Sequence, residues 1–330
     1  MAGEMPDFGA DPAFWQFKGP DATRSASGNC LNRIAEKAPD LLFGGSADLA
    51  PSNKSEMKNS TYFGAENHGG NNIHFGVREH AMAAIANAVA LHGGLHAYVA
   101  TFLVFSDYMK HSMRLAAMMK LPVTYVLTHD SIGVGEDGPT HEPIEQLAML
   151  RSIPNMTVYR PADSVETAAA WLYSMKNDGP TALILSRQNL PLYENEIGRN
   201  ADKGAYILSE AEGGCPDLLL LATGSEVELA VKAQAELKAQ GVKARVVSMP
   251  SWEVFEKQDQ EYKESVLPGN VRARLAIEAA GRFGWDRYIG LDGDIVCMPG
   301  YGTSAPAAKV FEKFGFTVAN VVEHALKLVK

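Results

Sequence analysis

The stretch that decides the reading of this chain runs from Phe75 to Gln146: FGVREHAM at 75–82, GGLHAYVATFLVFSDYMKHSMRLA at 93–116 and LPVTYVLTHDSIGVGEDGPTHEPIEQ at 121–146. The alanine-rich segment AMAAIANAVALHGG (81–94) is a good helix former that permits close packing, and Glu79 stands at its head. The apolar run HAYVATFLVF (96–105) reads as a buried strand, a helix follows, and LPVTYVLTH (121–129) reads as a second strand. A loop carrying Asp130, Glu136, Asp137 and His141 comes next. Strand, helix and strand in succession imply parallel pairing through a crossover. A carboxylate, an aromatic series and a His/Asp-rich loop are therefore strung on successive elements of one sheet.

Working outward, the same alternation continues through LLFGGS (41–46), MTVYRP (156–161), the helix SVETAAAWLYSMKND (164–178) and TALILS (181–186). This first unit spans 23–192, after a lead-in segment at 1–22. At 193–203 the sequence YENEIGRNADK turns polar and loses its period, the signature of a linker. The second unit, 204–330, contains the strand PDLLLLATGS (216–225), the helix SEVELAVKAQAELKAQG (225–241), the strands VKARVVSMP (242–250) and RARLAIEAA (272–280), and a closing helix from about Ala305. The expected fold class is α/β, as two three-layer units with mostly parallel sheets.

Composition narrows the function classes. The 330 residues are enough for two ordinary domains, and 46% hydrophobic with 21% charged residues is a globular mixture. A formal charge of −9 argues against nucleic acid or an anionic membrane as the main partner, so any phosphate must be met by a few local cations. The cysteines Cys30, Cys215 and Cys297 are scattered, odd in number and without metal-site spacing, which points to a reducing, cytoplasmic compartment. The start, MAGEMPDFGADP, has neither a basic nor an apolar leader region, and no apolar run is long enough to span a bilayer.

Several candidates have a plain alternative. Glu79 can simply complement the dipole of the helix it heads. Phe102, Phe105 and Tyr108, at three-residue steps, can simply be core. The glycines of Gly133-Val134-Gly135-Glu136-Asp137-Gly138 spell GxGxxG, but THDSI separates them from the strand and two carboxylates would repel a pyrophosphate, so a dinucleotide site is rejected. His129 and His141 with Asp130 and Asp137 lack any recognised metal-ligand spacing, and no metal is expected on this chain.

Together with TRSAS (23–27), FGGSADLAPSN (43–53) and PTALILSRQNLP (180–191), the run resembles the pyrimidine-binding domain of the transketolase family, and the remainder resembles that family's C-terminal domain. The resemblance covers about residues 20 to 330. It implies thiamine diphosphate as cofactor and reversible transfer of a two-carbon ketol unit between sugar phosphates such as xylulose 5-phosphate and ribose 5-phosphate. It implies that Glu79 bonds N1′ of the cofactor's aminopyrimidine and drives it to the imine that takes the thiazolium proton. By the same resemblance Phe102, Phe105 and Tyr108 stack on the pyrimidine, and Asp48 lies near the cofactor at a subunit interface. Arg24, Ser52, His129 and Arg187 converge on the sugar's phosphate; His129 and His141 face the sugar, His141 also as a catalytic group, and Asp137 bonds a sugar hydroxyl.

The family's diphosphate-binding domain, with its GDG motif and downstream Asn holding Mg²⁺ or Ca²⁺, has no counterpart here. The chain is thus expected to be a truncated product in preference to a natural split subunit, to be inactive without that domain, and to form a homodimer or to associate with a diphosphate-binding subunit. Dihydroxyacetone synthase, deoxyxylulose-phosphate synthase, the β subunit of a 2-oxo acid dehydrogenase and a silent assembly module are the alternatives, and the set of His129, Asp137, His141 and the two arginines favours sugar phosphates over 2-oxo acids.

Overall fold

A computed structural model describes residues 5–329. In chain order the strands are β1 Asp21–Ala22, β2 Leu42–Ser46, β3 Asn72–His74, β4 His96–Phe102, β5 Val123–Thr128, β6 Thr157–Tyr159, β7 Thr181–Leu185, β8 Asn189–Leu190, β9 Tyr206–Ser209, β10 Leu218–Ala222, β11 Ala244–Ser248, β12 Arg274–Glu278 and β13 Asp294–Cys297. Six of them form an entirely parallel sheet in the order β3-β2-β4-β5-β7-β6. Helices cover both of its faces, so its central strands are buried on both sides and read as unbroken apolar runs. Every residue of β4, β5 and β7 is buried. The helices Thr23–Lys37 and Ser164–Lys176 lie on one face, joined by Trp171 Nε1 donating to Ser27 Oγ at 2.8 Å, and Glu79–His92 and Ser106–Met119 lie on the other.

The second sheet runs β13-β12-β10-β11-β9, parallel except for β9, which pairs antiparallel with β11. The helices Glu226–Ala239 and Val318–Leu328 cover one face. On the other, Trp252, Phe255, Trp285 and Tyr288 build an aromatic-rich core. Both units are therefore three-layered with mostly parallel sheets, as the alternation of patterns implies.

The structure adds detail to the sequence reading at several points. The polar stretch 193–203 winds into the short helix Asn195–Gly198 and the turn Arg199–Lys203, with Ala201 fully buried and the Arg199 guanidinium 4.6 Å from the centre of the Trp15 ring. The lead-in segment, from residue 5 on, likewise packs, burying Phe8, Phe14 and Trp15 in the first unit's core. The run HAYVATFLVF leaves the sheet at Phe102, where a 3-10 turn takes Leu103–Phe105 into the next helix. The closing helix is two helices, Ala307–Lys313 and Val318–Leu328, split at Gly315. The short β3, β9 and β13 went unread because three or four residues carry too little period to register.

Candidate functional site

All six strands of the first sheet point the same way, so their carboxyl ends share one edge, which is where open α/β sheets form ligand crevices. Asp48 and Ser52 follow β2, Glu79 follows β3, Phe102 ends β4, His129 follows β5 and Arg187 follows β7. Arg24 comes from elsewhere in the chain. It opens the helix Thr23–Lys37, whose start is pinned to the end of β7 by Thr23 N donating to Ser186 Oγ at 3.1 Å and Ser186 N donating to Thr23 Oγ1 at 2.7 Å. Residues more than a hundred positions apart thereby meet at one edge.

His129 is the best-determined member. Its ring is 3% exposed and stacks on Phe102 with centroids 3.6 Å apart. A polar chain fixes its tautomer: Asn53 Nδ2 donates to Ser46 Oγ at 2.7 Å, leaving Asn53 Oδ1 to accept from Thr128 Oγ1 at 2.6 Å. The Thr128 hydroxyl proton is then committed, so Thr128 Oγ1 accepts from His129 Nδ1–H at 2.8 Å, and Nε2 keeps its lone pair. That lone pair faces Arg24 Nη1 at 3.4 Å. Burial, then the nearby Arg24, Arg187 and His141, push the imidazole down to about 3, so it is neutral at working pH.

Arg24 Nη1 also donates to the Ser52 carbonyl at 2.9 Å, while its Nε is buried with no partner among the described residues. Burial first, and then the Arg187 cation, hold the Arg24 guanidinium below its ordinary range. Neither arginine forms an ion pair among the described residues. Two unneutralised guanidiniums beside a neutral histidine make a local positive site in an acidic protein, with donor geometry that matches phosphate oxygens.

Phe102 and Phe105 are stacked, 6° from parallel with centroids 5.8 Å apart, and Tyr108 follows at 6.2 Å from Phe105. The row begins buried at Phe102 and ends at Tyr108, which is 67% exposed, so it is a wall open at one end rather than closed core. His141, half-buried, meets Phe105 edge-on at 5.6 Å and accepts or donates with Thr140 Oγ1 at 3.0 Å. Glu79 is the first residue of its helix and is 8% exposed, and among the described residues its carboxylate has no hydrogen-bond partner.

The structure does not bring every candidate in equally. Asp137 is exposed on a turn without a side-chain hydrogen bond among the described residues, and Asp48 is exposed with a φ of 61°. Asp48 and His129 are two of five non-glycine residues in the left-handed region among the described residues, a cost of order 1 kcal/mol each that collects at functional sites. Asp130 lies outside the site: its carboxylate is tied to Arg160, with distances of 3.0 Å to Nε and 2.9 Å to Nη2. The GxGxxG match opens no helix. Its loop lies against the second unit, where a side chain on Gly135, at φ +80°, would come within 3.1 Å of Ala305 O and Ala307 N.

Sequence reasoning missed this part played by the second unit. Ser304 Oγ donates to Glu136 O at 2.7 Å, and the fully buried Arg160 reaches Thr223 Oγ1 at 3.0 Å and the Glu226 carboxylate. No local pattern in either segment announces the contact. Among the described residues no group of three or more His, Cys, Asp or Glu side chains is placed to hold a metal ion, and no helix is long and apolar enough to cross a membrane.

Comparison with known proteins bears on the family and the fold. Residues 20–192 match the family model described as transketolase, pyrimidine binding domain, and 204–317 match the transketolase-like C-terminal domain. A transketolase from Halalkalibacterium halodurans is 56% identical over 94% of this chain and 47% of its own length. The structure of transketolase from Leishmania mexicana superposes with a TM-score of 0.93 at 42% identity, covering 98% of this chain and 48% of that one. A Pichia stipitis transketolase solved with sedoheptulose 7-phosphate superposes at 0.90 with 43% identity, covering 94% and 46%. The chain thus spans about half the length of the curated relatives it matches. With its sheet order, its edge of Glu79, Phe102, His129 and the two arginines, and matches over both units, the chain belongs to the transketolase family.

Proposed function

We propose that this chain contributes the pyrimidine-facing and sugar-facing part of a thiamine diphosphate-dependent ketol-transfer site. It acts on ketose and aldose phosphates such as xylulose 5-phosphate and ribose 5-phosphate. One observation carries the reading: among the described residues, the largely buried Glu79 with no hydrogen-bond partner, an aromatic wall and two guanidiniums without ion-pair partners share one sheet edge. The cofactor, when bound, supplies the nucleophilic carbon that takes up and hands on the two-carbon unit. Glu79 holds a proton at the pyrimidine N1′, and its carboxylate, without a hydrogen-bond partner among the described residues, suits a heterocycle nitrogen. Phe102, Phe105 and Tyr108 present flat faces to the ring, and Asp48 sits at the rim. His129, neutral with Nε2 as acceptor, orients a sugar hydroxyl; His141 and Asp137 act beside the carbonyl, with His141 moving a proton there. Arg24 and Arg187, with Ser52, grip the terminal phosphate.

The diphosphate and its Mg²⁺ or Ca²⁺ are held by residues outside this chain. A second copy or a diphosphate-binding subunit covers the two-helix face that exposes Val77, Ile85, Leu91, Tyr108, Met118 and Met119. The free cysteines agree with a reducing compartment, and we place the protein in the cytoplasm.

The test mixes purified chain, cofactor, Mg²⁺, xylulose 5-phosphate and ribose 5-phosphate, with and without a separately expressed diphosphate-binding domain. The chain alone gives no turnover and the mixture does; robust activity without the added domain overturns the division of labour. In active enzyme, Arg24→Ala or Arg187→Ala raises KM for phosphorylated acceptors about 10- to 150-fold, the equivalent of about 1.5 to 3 kcal/mol for a charge-assisted bond. Unphosphorylated acceptors are little affected, and equal losses on both would remove the phosphate role.

A further inference from the structure

Glu142 follows His141 directly, yet its environment is unlike that of any other residue on the loop. Its side chain is 2% exposed, and neither carboxyl oxygen makes a hydrogen bond among the described residues. It is pressed onto the second unit: a Cβ built on Gly302 would overlap Oε2, and would also come within 3.3 Å of Ile132 Cγ2. Only glycine at 302 lets the backbone lie this close. The same segment of the second unit supplies the Ser304 Oγ bond to Glu136 O at 2.7 Å and the backbone against Gly135. Glu136, Asp137, His141 and Glu142 are thus fastened as one loop to residues 302–307.

We propose that Glu142 is a positioning residue through which the second unit sets the conformation of the loop carrying Asp137 and His141. The proposal rests on the functional reading above for what that loop does, and on the packing alone for how it is held. Burial in this place favours the neutral carboxyl, since a poorly solvated carboxylate without a cation beside it is costly. Burial pushes Glu142 up to about 7 from an ordinary 4.5, against the pull of the nearby Thr303 backbone amide, which falls outside hydrogen-bond geometry. The titratable groups nearest it in the chain are Glu136, Asp137, His141 and Glu145, and the facing segment carries Tyr301; the turn Ile132–Val134 has none. Because the folded value is raised, the clamp's contribution is complete below about 4.5 and is lost as pH rises through about 7.

Hydrogen exchange on the full chain tests the clamp without cofactor or sugar. Between pH 6 and 8.5, and beyond the intrinsic pH dependence, the amides of 133–142 should gain about tenfold in opening, the ratio that a shift from 4.5 to about 7 gives. Glu142→Gln, isosteric and always neutral, should keep the slow exchange at both pH values, whereas Glu142→Ala and Gly302→Ala should open the loop at both. In enzyme completed with the diphosphate-binding domain, Glu142→Ala should raise KM for the ketose phosphate on the order of tenfold, and Glu142→Gln should restore it, since a small misplacement of a positioned group costs up to about 100-fold. The proposal is overturned if Glu142→Gln keeps the wild-type pH response, or if Glu142→Ala leaves loop exchange unchanged. Either result leaves the ketol-transfer reading standing, whereas lack of turnover in the completed enzyme with normal exchange data removes that reading and keeps the clamp.

Discussion

Glu79→Gln in enzyme completed with the diphosphate-binding domain should lower kcat by about 10² to 10⁴-fold while leaving the fold and sugar binding intact. Glutamine preserves the shape and the hydrogen-bonding reach at the head of the helix Glu79–His92 but cannot pass a proton to a ring nitrogen. The loss should fall on kcat more than on KM, because the carboxyl touches the cofactor and not the sugar. Thermal unfolding of the variant should match wild type, since Glu79 makes no side-chain hydrogen bond among the described residues and caps nothing. Near-normal turnover at saturating cofactor would show that this carboxyl plays no part in the chemistry.

The second large effect is on stability. Arg160→Met should destabilise the fold by about 3 to 5 kcal/mol, because it leaves two carboxylates buried without their cation. Arg160 is fully buried and bridges Asp130 of the first unit to Glu226 and Thr223 of the second. Glu278 is the next member. Burial would raise its carboxyl, but Arg151, bonded to both oxygens at 2.8 and 2.9 Å, outweighs that and holds it low. The network thus sets three carboxylates against two arginines, so that losing either cation deepens an existing excess of buried negative charge. Urea unfolding of wild type and variant measures the difference. A loss below about 1 kcal/mol, the value of an exposed pair, would mean that the network is solvated. Because Asp130 adjoins His129, whose backbone sits at a φ of 61°, the variant should also loosen the sugar-facing edge.

Much of the candidate site was legible in the chain because its residues are local punctuation. Glu79 before an alanine-rich helix, Phe102 at a strand's end and His129 just past β5 all stand where period gives way to loop, and in a parallel sheet those points must share an edge. What was illegible is what depends on distant partners. Nothing around Asp130 shows it to be a structural anion until Arg160, thirty residues on, is seen to bond its Oδ2. Nothing in YENEIGRNADK tells that Ala201 will be buried against the helix Ser164–Lys176, since a short polar stretch hides one apolar face in too few residues to show a repeat.

By itself, then, the sequence determined the two α/β units, the direction of their strands and the residues at the carboxyl edge, because hydrophobic period and strand-helix alternation are properties of neighbours in the chain. The tertiary structure decided three further things. It joined Arg24 to His129 across more than a hundred residues. It kept His129 neutral and raised the titration of Glu142 through burial and neighbouring groups. It pressed residues 302–307 onto the loop of Asp137 and His141. Each of these depends on desolvation and on contact between surfaces far apart in the chain, and those quantities exist only once the two units have packed together.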